Sequence, residues 1–195
     1  MIQLKQIRQQ VLNAKKLTII GGKTQVQTIS ATESDILDMS KYQGVIEYHP
    51  EELVITVKAG TKIKQLAEIL AQKSQSFSFP LSANDNSTIG GAYAAGNSDL
   101  RDAVLGIKII DGKANILNFG GQVMKNVAGY DVARLLVGSQ GKLAVICEIS
   151  FKLIPQSYAK DLKLAPCNKK QQNSKLRMRI EQGLKSVFDP KHKFI

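Results

Sequence analysis

Apolar and polar positions alternate along this chain in a way that marks out most of its elements. Residues 3–14 repeat at helical spacing, with Ile7, Val11 and Leu12 on one face, and predict an amphipathic helix. Lys16–Ile20 is a short strand candidate that runs into Gly21-Gly22. Asp35–Met39 and Val45–Tyr48 read as further strands, and Leu53–Lys58 alternates cleanly as LVITVK. Thr61 is placed to cap a helix over Lys62–Lys73, whose apolar face is Ile63, Leu66, Ile69 and Leu70. Asp102–Ile110 and Ala114–Phe119 flank Asp111-Gly112 and predict a hairpin. Asp131 caps a short helix that stops before Gly138. After Gly141 the run LAVICEISFKLI is continuously apolar and then alternates, as a strand does when its first half is buried on both faces. Residues 156–174 lose all periodicity and read as a linker. Lys175–Val187 regains helical spacing, with Leu176, Ile180, Leu184 and Val187 as its stripe.

Three glycine-bearing stretches stand out from this pattern. The first, Gly21-Gly22-Lys23-Thr24-Gln25, follows a strand; its backbone N–H groups can cradle a diphosphate, or it is an ordinary turn. In the second, FPLSANDNSTIGGAYAAG (Phe79–Gly96), Ser87 and Thr88 precede Gly90, Gly91 and Gly96. Small residues there let a backbone lie against a planar or phosphate-bearing ligand, and equally suit tight helix packing. The third surrounds Gly138 and Gly141.

The wording of these stretches is more specific than their physics. FGGQVMKNVAGYDVARLLVGSQGKLAVICEISFKLIP (Phe119–Pro155), LDMSKYQGVIEYHPEELVITVKAGTKIKQLAEILAQ and STIGG together resemble the FAD-linked oxidases, and among them the FAD-binding subunits of bacterial glycolate oxidase. The resemblance covers about 1–155 and 182–195. It implies an α+β fold, the two-lobed FAD-binding domain of the FAD-linked oxidase type. A small N-terminal α/β lobe (1–60) would precede a larger lobe with a mainly antiparallel sheet and flanking helices (61–155). The linker 156–174 would stand in place of the substrate cap domain, before a C-terminal helix and tail (175–195). The implied cofactor is non-covalent FAD, weakly held or absent if the site has degenerated. Gly21, Gly22, Lys23, Thr24, Gln25, Ser87, Thr88, Gly90, Gly91, Gly96, Gly141, Ala144 and Ile146 are its implied contacts. Two positions depart from the family: Lys23 stands where relatives have a small residue, and Ala144 where they have glycine. The implied activity is oxidation of a 2-hydroxy acid, glycolate to glyoxylate, together with a larger flavin subunit and an iron–sulfur subunit. A flavin-free scaffold of the same fold is the alternative.

Composition narrows the rest. No apolar run approaches the ~20 residues a bilayer span requires, and MIQLKQIRQQ lacks a signal-peptide core, which suggests a cytoplasmic protein. Cys147 and Cys167 are isolated, and His49 and His192 are too scattered for a metal site or a histidine-based triad. The net charge is +11, and residues 160–195 hold ten Lys/Arg against three Asp/Glu. That basic end fits a solvated face, a protein partner or peripheral contact with the inner membrane; without aromatic interleaving it does not suggest nucleic acid. No general base is evident, and Asp131 with Arg134 reads as a helix cap with its partner before it reads as catalytic.

Overall fold

The computed structural model describes residues 3–24, 34–80, 84–96, 98–122, 131–159 and 175–195. Gln25, Tyr130, Cys167 and nearly all of the 156–174 linker therefore lie outside the described residues. In chain order the elements are α1 (Leu4–Asn13), β1 (Leu17–Ile20), β2 (Asp35–Asp38), β3 (Val45–His49), β4 (Val54–Lys58), α2 (Ile63–Ala71) and β5 (Gln75–Phe77). There follow α3 (Ile89–Ala95), α4 (Ser98–Ala103), β6 (Val104–Ile110), β7 (Ile116–Gly120), α5 (Val132–Leu135), β8 (Val145–Pro155), α6 (Gln156–Ala159) and α7 (Lys175–Phe188).

Two sheets organise them. β1 and β2 pair in parallel, while β3-β4-β8-β6-β7 form an antiparallel path, with β5 on the far end of β8. β3 and β4 hydrogen-bond into the large sheet, so the two sheets divide the chain between Asp38 and Val45. β8 is the strand on which the large sheet is built. Val145, Ile146 and Cys147 are buried in succession, and from Glu148 onward polar residues alternate outward. Its inward row, Ile149 and Phe151, lies in register with Ile55 and Val57 on one side and Ile107 on the other. Phe151 also packs against Phe77 and Phe79, with ring centroids 5.5 and 5.6 Å away. Each such side chain removed from water contributes about 1.5–3 kcal/mol. The outward row satisfies itself: Thr56 and Ser150 hydroxyls are 2.8 Å apart, Lys108 donates to Glu148 at 2.5 Å, and the Tyr42 hydroxyl donates to Glu148 at 2.9 Å. Burial raises the Tyr42 pKa, reinforced by the bond to Glu148 and its charge.

Three expectations are corrected. Thr61 does not cap α2, whose N-cap is Lys62. The Thr61 hydroxyl is buried, accepting from Gly44 N at 2.9 Å and donating to Lys58 O at 2.7 Å, so it ties the start of β3 to the end of β4 instead. Leu12 is exposed, leaving Ile7 and Val11 as the inward face of α1. On α7, Ile180 and Val187 are 53% and 66% exposed, while Leu184 and Phe188 turn inward. The cause lies just past the helix. Asp189 is fully buried and accepts from Lys193 N at 2.9 Å, Phe194 N at 2.8 Å and Lys185 Nζ at 2.7 Å, which fixes the roll of the last turn.

That carboxylate anchors a tail reaching three other elements. Gly112 N donates to Phe188 O at 2.7 Å, and a methyl on Gly112 would overlap the Asp189 carboxylate. The glycine of the hairpin turn is thus required by close approach. Lys193 Nζ donates to Val11 O at 2.5 Å and Leu12 O at 3.1 Å, covering carbonyls at the end of α1. Leu17 N donates to Lys193 O and Ile195 N to Leu17 O, so the tail runs beside β1. Asp189→Ala leaves two buried N–H groups without their acceptor and removes the counter-charge of the half-buried Lys185 ammonium. It is expected to lower unfolding free energy by roughly 3–5 kcal/mol, measured by urea denaturation against wild type.

Candidate functional site at the junction of three bends

β1 delivers its chain into Gly21-Gly22-Lys23-Thr24, and this bend lies on the second one. A methyl on Gly21 would stand 2.6 Å from Thr88 Oγ1, and one on Gly22 would overlap Asn86 O. The Ser87 hydroxyl is 3.4 Å from that of Thr24. The third bend packs against β1 and against the far end of α3. Gly141 has Ile19 of β1 as its neighbour, a methyl there falling 3.7 Å from Ile19 Cβ. Gly138 N donates to Tyr93 O at 3.0 Å and Gln140 N to Ala94 O at 2.9 Å, which fastens this bend to the end of α3. Gly96 is at φ +71, and a methyl on it would lie 2.6 Å from Gly138 Cα, so two main chains touch here with no side chain between them.

Within this junction the glycines have different tasks. The opening N–H groups of α3 are all engaged by the protein: Ile89 N with Thr61 O, Gly90 N with Ala59 O and Gly91 N with Thr88 Oγ1. Gly90 packs on Ala59, where a methyl would approach the Ala59 side chain to 2.7 Å. Ala144 and Ile146 are buried in the core, Ile146 in register with Ile109 of β6. By contrast, among the described residues none of the N–H groups of Gly21, Gly22, Lys23 and Thr24 donates to a backbone carbonyl, nor does that of Gly141. One basic side chain reaches the second bend. Lys62 Nζ is 3.3 Å from Asn86 Oδ1, and Lys62 forms an isolated bridge with Thr88. A half-buried glycine bend whose N–H groups meet no backbone acceptor among the described residues, resting on a loop that contacts the Lys62 ammonium, suits the diphosphate of a dinucleotide. Asn86 and Lys62 carry no motif; their place shows only once the bends are folded together.

The remaining polar groups are structural. Asp131 accepts from Arg134 N at 3.0 Å as the N-cap of α5 and pairs with Arg134 Nε at 3.3 Å. The Tyr93 hydroxyl donates to Ala133 O, tying α3 to α5; burial raises its pKa, with the Asp131 charge adding and Arg101 opposing. Cys147 is fully buried on β8, and burial pushes its thiol pKa up. A separate groove of about 230 Å³ lies on the polar side of the large sheet. Its Lys108 pairs with Glu148, and Gln122 is bonded to both Glu47 and Thr56.

Lys23 adopts φ +55, a left-handed conformation that costs a residue with a Cβ roughly 1–2 kcal/mol. Lys23→Gly should therefore stabilise the fold by roughly 1 kcal/mol after the added unfolded-state entropy of glycine. Thermal unfolding of the two proteins checks this.

Comparison with known proteins gives the family of the chain. The chain is 37% identical to glycolate oxidase subunit GlcE of Escherichia coli (strain K12) over 165 residues, covering 80% of this chain and 47% of that protein. It is 31% identical to glycolate oxidase subunit GlcD of Bacillus subtilis (strain 168), covering 69% of this chain and 30% of the relative. The mitochondrial D-lactate dehydrogenase [cytochrome] of Arabidopsis thaliana is also 31% identical, with 74% and 28% covered. The chain thus spans about half the length of the first relative and under a third of the others. Among solved structures, an alkyldihydroxyacetonephosphate synthase superposes with a TM-score of 0.64 at 19% identity, over 78% of this chain and 29% of that one, a likeness of fold. A family profile described as FAD binding domain matches residues 5–120, which takes in the first two bends. With that match over more than half its length, the chain belongs to the FAD-binding domain family of the FAD-linked oxidase type.

Proposed function

We propose that this chain holds FAD at the junction of the three bends, without a covalent link, and serves in the oxidation of a 2-hydroxy acid, glycolate to glyoxylate. The observation that carries the reading is the seating of Gly21–Thr24 on Asn86–Thr88, with Gly141 against Ile19 of the strand that feeds the first bend, and with the N–H groups of that bend donating to no backbone carbonyl among the described residues. Gly21, Gly22, Lys23 and Thr24 present donors to the diphosphate. Ser87, Thr88 and Asn86 form the floor on which that bend rests, Gly90 and Gly91 seat the start of α3 beneath it on Ala59 and Thr88, and Gly96 lets the third bend approach the end of α3. Bound FAD supplies the two-electron acceptor for the oxidation. Relatives named as glycolate oxidase subunits and as a D-lactate dehydrogenase support the substrate class.

The chain acts beside a larger flavin subunit and an iron–sulfur subunit in the cytoplasm, and the basic region from residue 160 onward meets a partner or the inner membrane face. The names of the two glycolate oxidase relatives support an assembly of subunits. The carboxylates around the junction support placing proton abstraction on another chain: Asp85 pairs with Lys64 at 3.3 Å, Asp131 caps α5, and Asp38 accepts from Ser40. No described helix is long and apolar enough to cross a membrane.

A second reading, a flavin-free scaffold subunit, draws on the left-handed Lys23 in the donor bend. Titrating the purified chain with FAD separates the two. Saturable quenching of flavin fluorescence at one FAD per chain is expected. A colourless protein that leaves added FAD unquenched selects the scaffold.

A further inference from the structure

One ammonium group links the third bend to the C-terminal tail. The Lys185 side chain on α7 is only 19% exposed. Its Nζ lies 2.6 Å from Lys142 O, 2.5 Å from Phe194 O and 2.7 Å from Asp189 Oδ2. An ammonium has three N–H donors, and three oxygens surround this one. Lys142 directly follows Gly141, so its carbonyl belongs to the segment carrying the third bend into β8. Phe194 is bridged to Leu17, the first residue of β1, and β1 ends where Gly21 begins. The same side chain therefore holds the third bend directly and, through the tail, the strand that feeds the first.

We propose that Lys185 is a positioning residue for FAD, coupling occupancy of the junction to docking of residues 189–195. The distance between the first and third bends is set by two routes. One is the contact of Gly141 with Ile19; the other runs from Lys142 through Lys185 to Phe194 and Leu17. Cutting the second route leaves the third bend held by α3 and by a van der Waals contact with β1. A ligand touching both bends must then restore their spacing itself, and its affinity falls by the cost of that ordering. The coupling is reciprocal: if the docked tail tightens FAD, bound FAD tightens the tail by the same factor. This inference rests on FAD binding at the junction, so the wild-type titration is read first and failure there tells against that reading alone.

The test compares Lys185→Met, Lys185→Arg and Phe77→Leu with wild type in the full chain. The last is a core substitution away from the bends, serving as a control for lost stability. Lys185→Met should weaken FAD at least tenfold in fluorescence titration. Lys185→Arg, which keeps the charge and several donors, should recover part of that loss, and Phe77→Leu should bind as wild type does. Hydrogen exchange on the wild-type chain gives a measurement independent of any variant. FAD should slow exchange of the Leu17, Phe194 and Ile195 amides at least tenfold, and this decides the matter if Lys185→Met fails to fold. The proposal is overturned by Lys185→Met binding within twofold of wild type, by Phe77→Leu weakening FAD as much as Lys185→Met does, or by tail amides indifferent to FAD.

Discussion

Close approach of main chain to main chain, with no side chain between, is the constraint on which this molecule depends. Gly22 lies against Asn86, and Gly96 against Gly138. At each place a single methyl group would force two segments apart, and the segments concerned are the ones that shape the candidate site. Interiors are packed too closely to absorb such a shift locally. The bends and the core are accordingly one mechanical object: the second bend is rooted on Ala59 through Gly90, and Ala59 is bonded to Cys147 of β8.

Much of the secondary structure was legible in the sequence because its signals are local. The alternation of β4, the glycine boundaries of β8 and the aspartate cap of α5 depend on neighbours within a few residues, and these elements stand close to where the pattern puts them. What the pattern could not give was set by residues far away in the chain. Thr61 has the right chemistry for a cap, but Gly44 and Lys58 offer its hydroxyl a buried alternative. The stripe on α7 was drawn through Ile180 and Val187, yet the helix is rolled by Asp189 so that Leu184 and Phe188 face inward. No periodicity within α7 encodes a contact with Gly112.

The junction was legible as a set of glycines and illegible as a division of labour. Sequence treats Gly22 and Gly90 alike, as positions where backbone can approach a ligand. In the fold, Gly90 meets Ala59 and its N–H is engaged, whereas the N–H groups around Gly22 find no backbone acceptor among the described residues. The difference arises from which neighbour each glycine meets, and that is a property of the assembled sheet and α3. Asn86 and Lys62 escaped notice for the same reason, since neither type is diagnostic until two loops are brought together. The family wording singled out the same stretches, though not the contact each residue makes.

The pairing of Leu17 with residues 193 and 195 has a consequence for how the polypeptide is made. Leu17 is translated well before residues 193 and 195, the segment that runs beside it. Until that segment is made one side of β1 lacks its neighbour, and closing the gap joins residues far apart in sequence, a slow kind of contact to form. The small sheet is therefore where a nascent chain is most open to chaperones, or to mispairing with another copy.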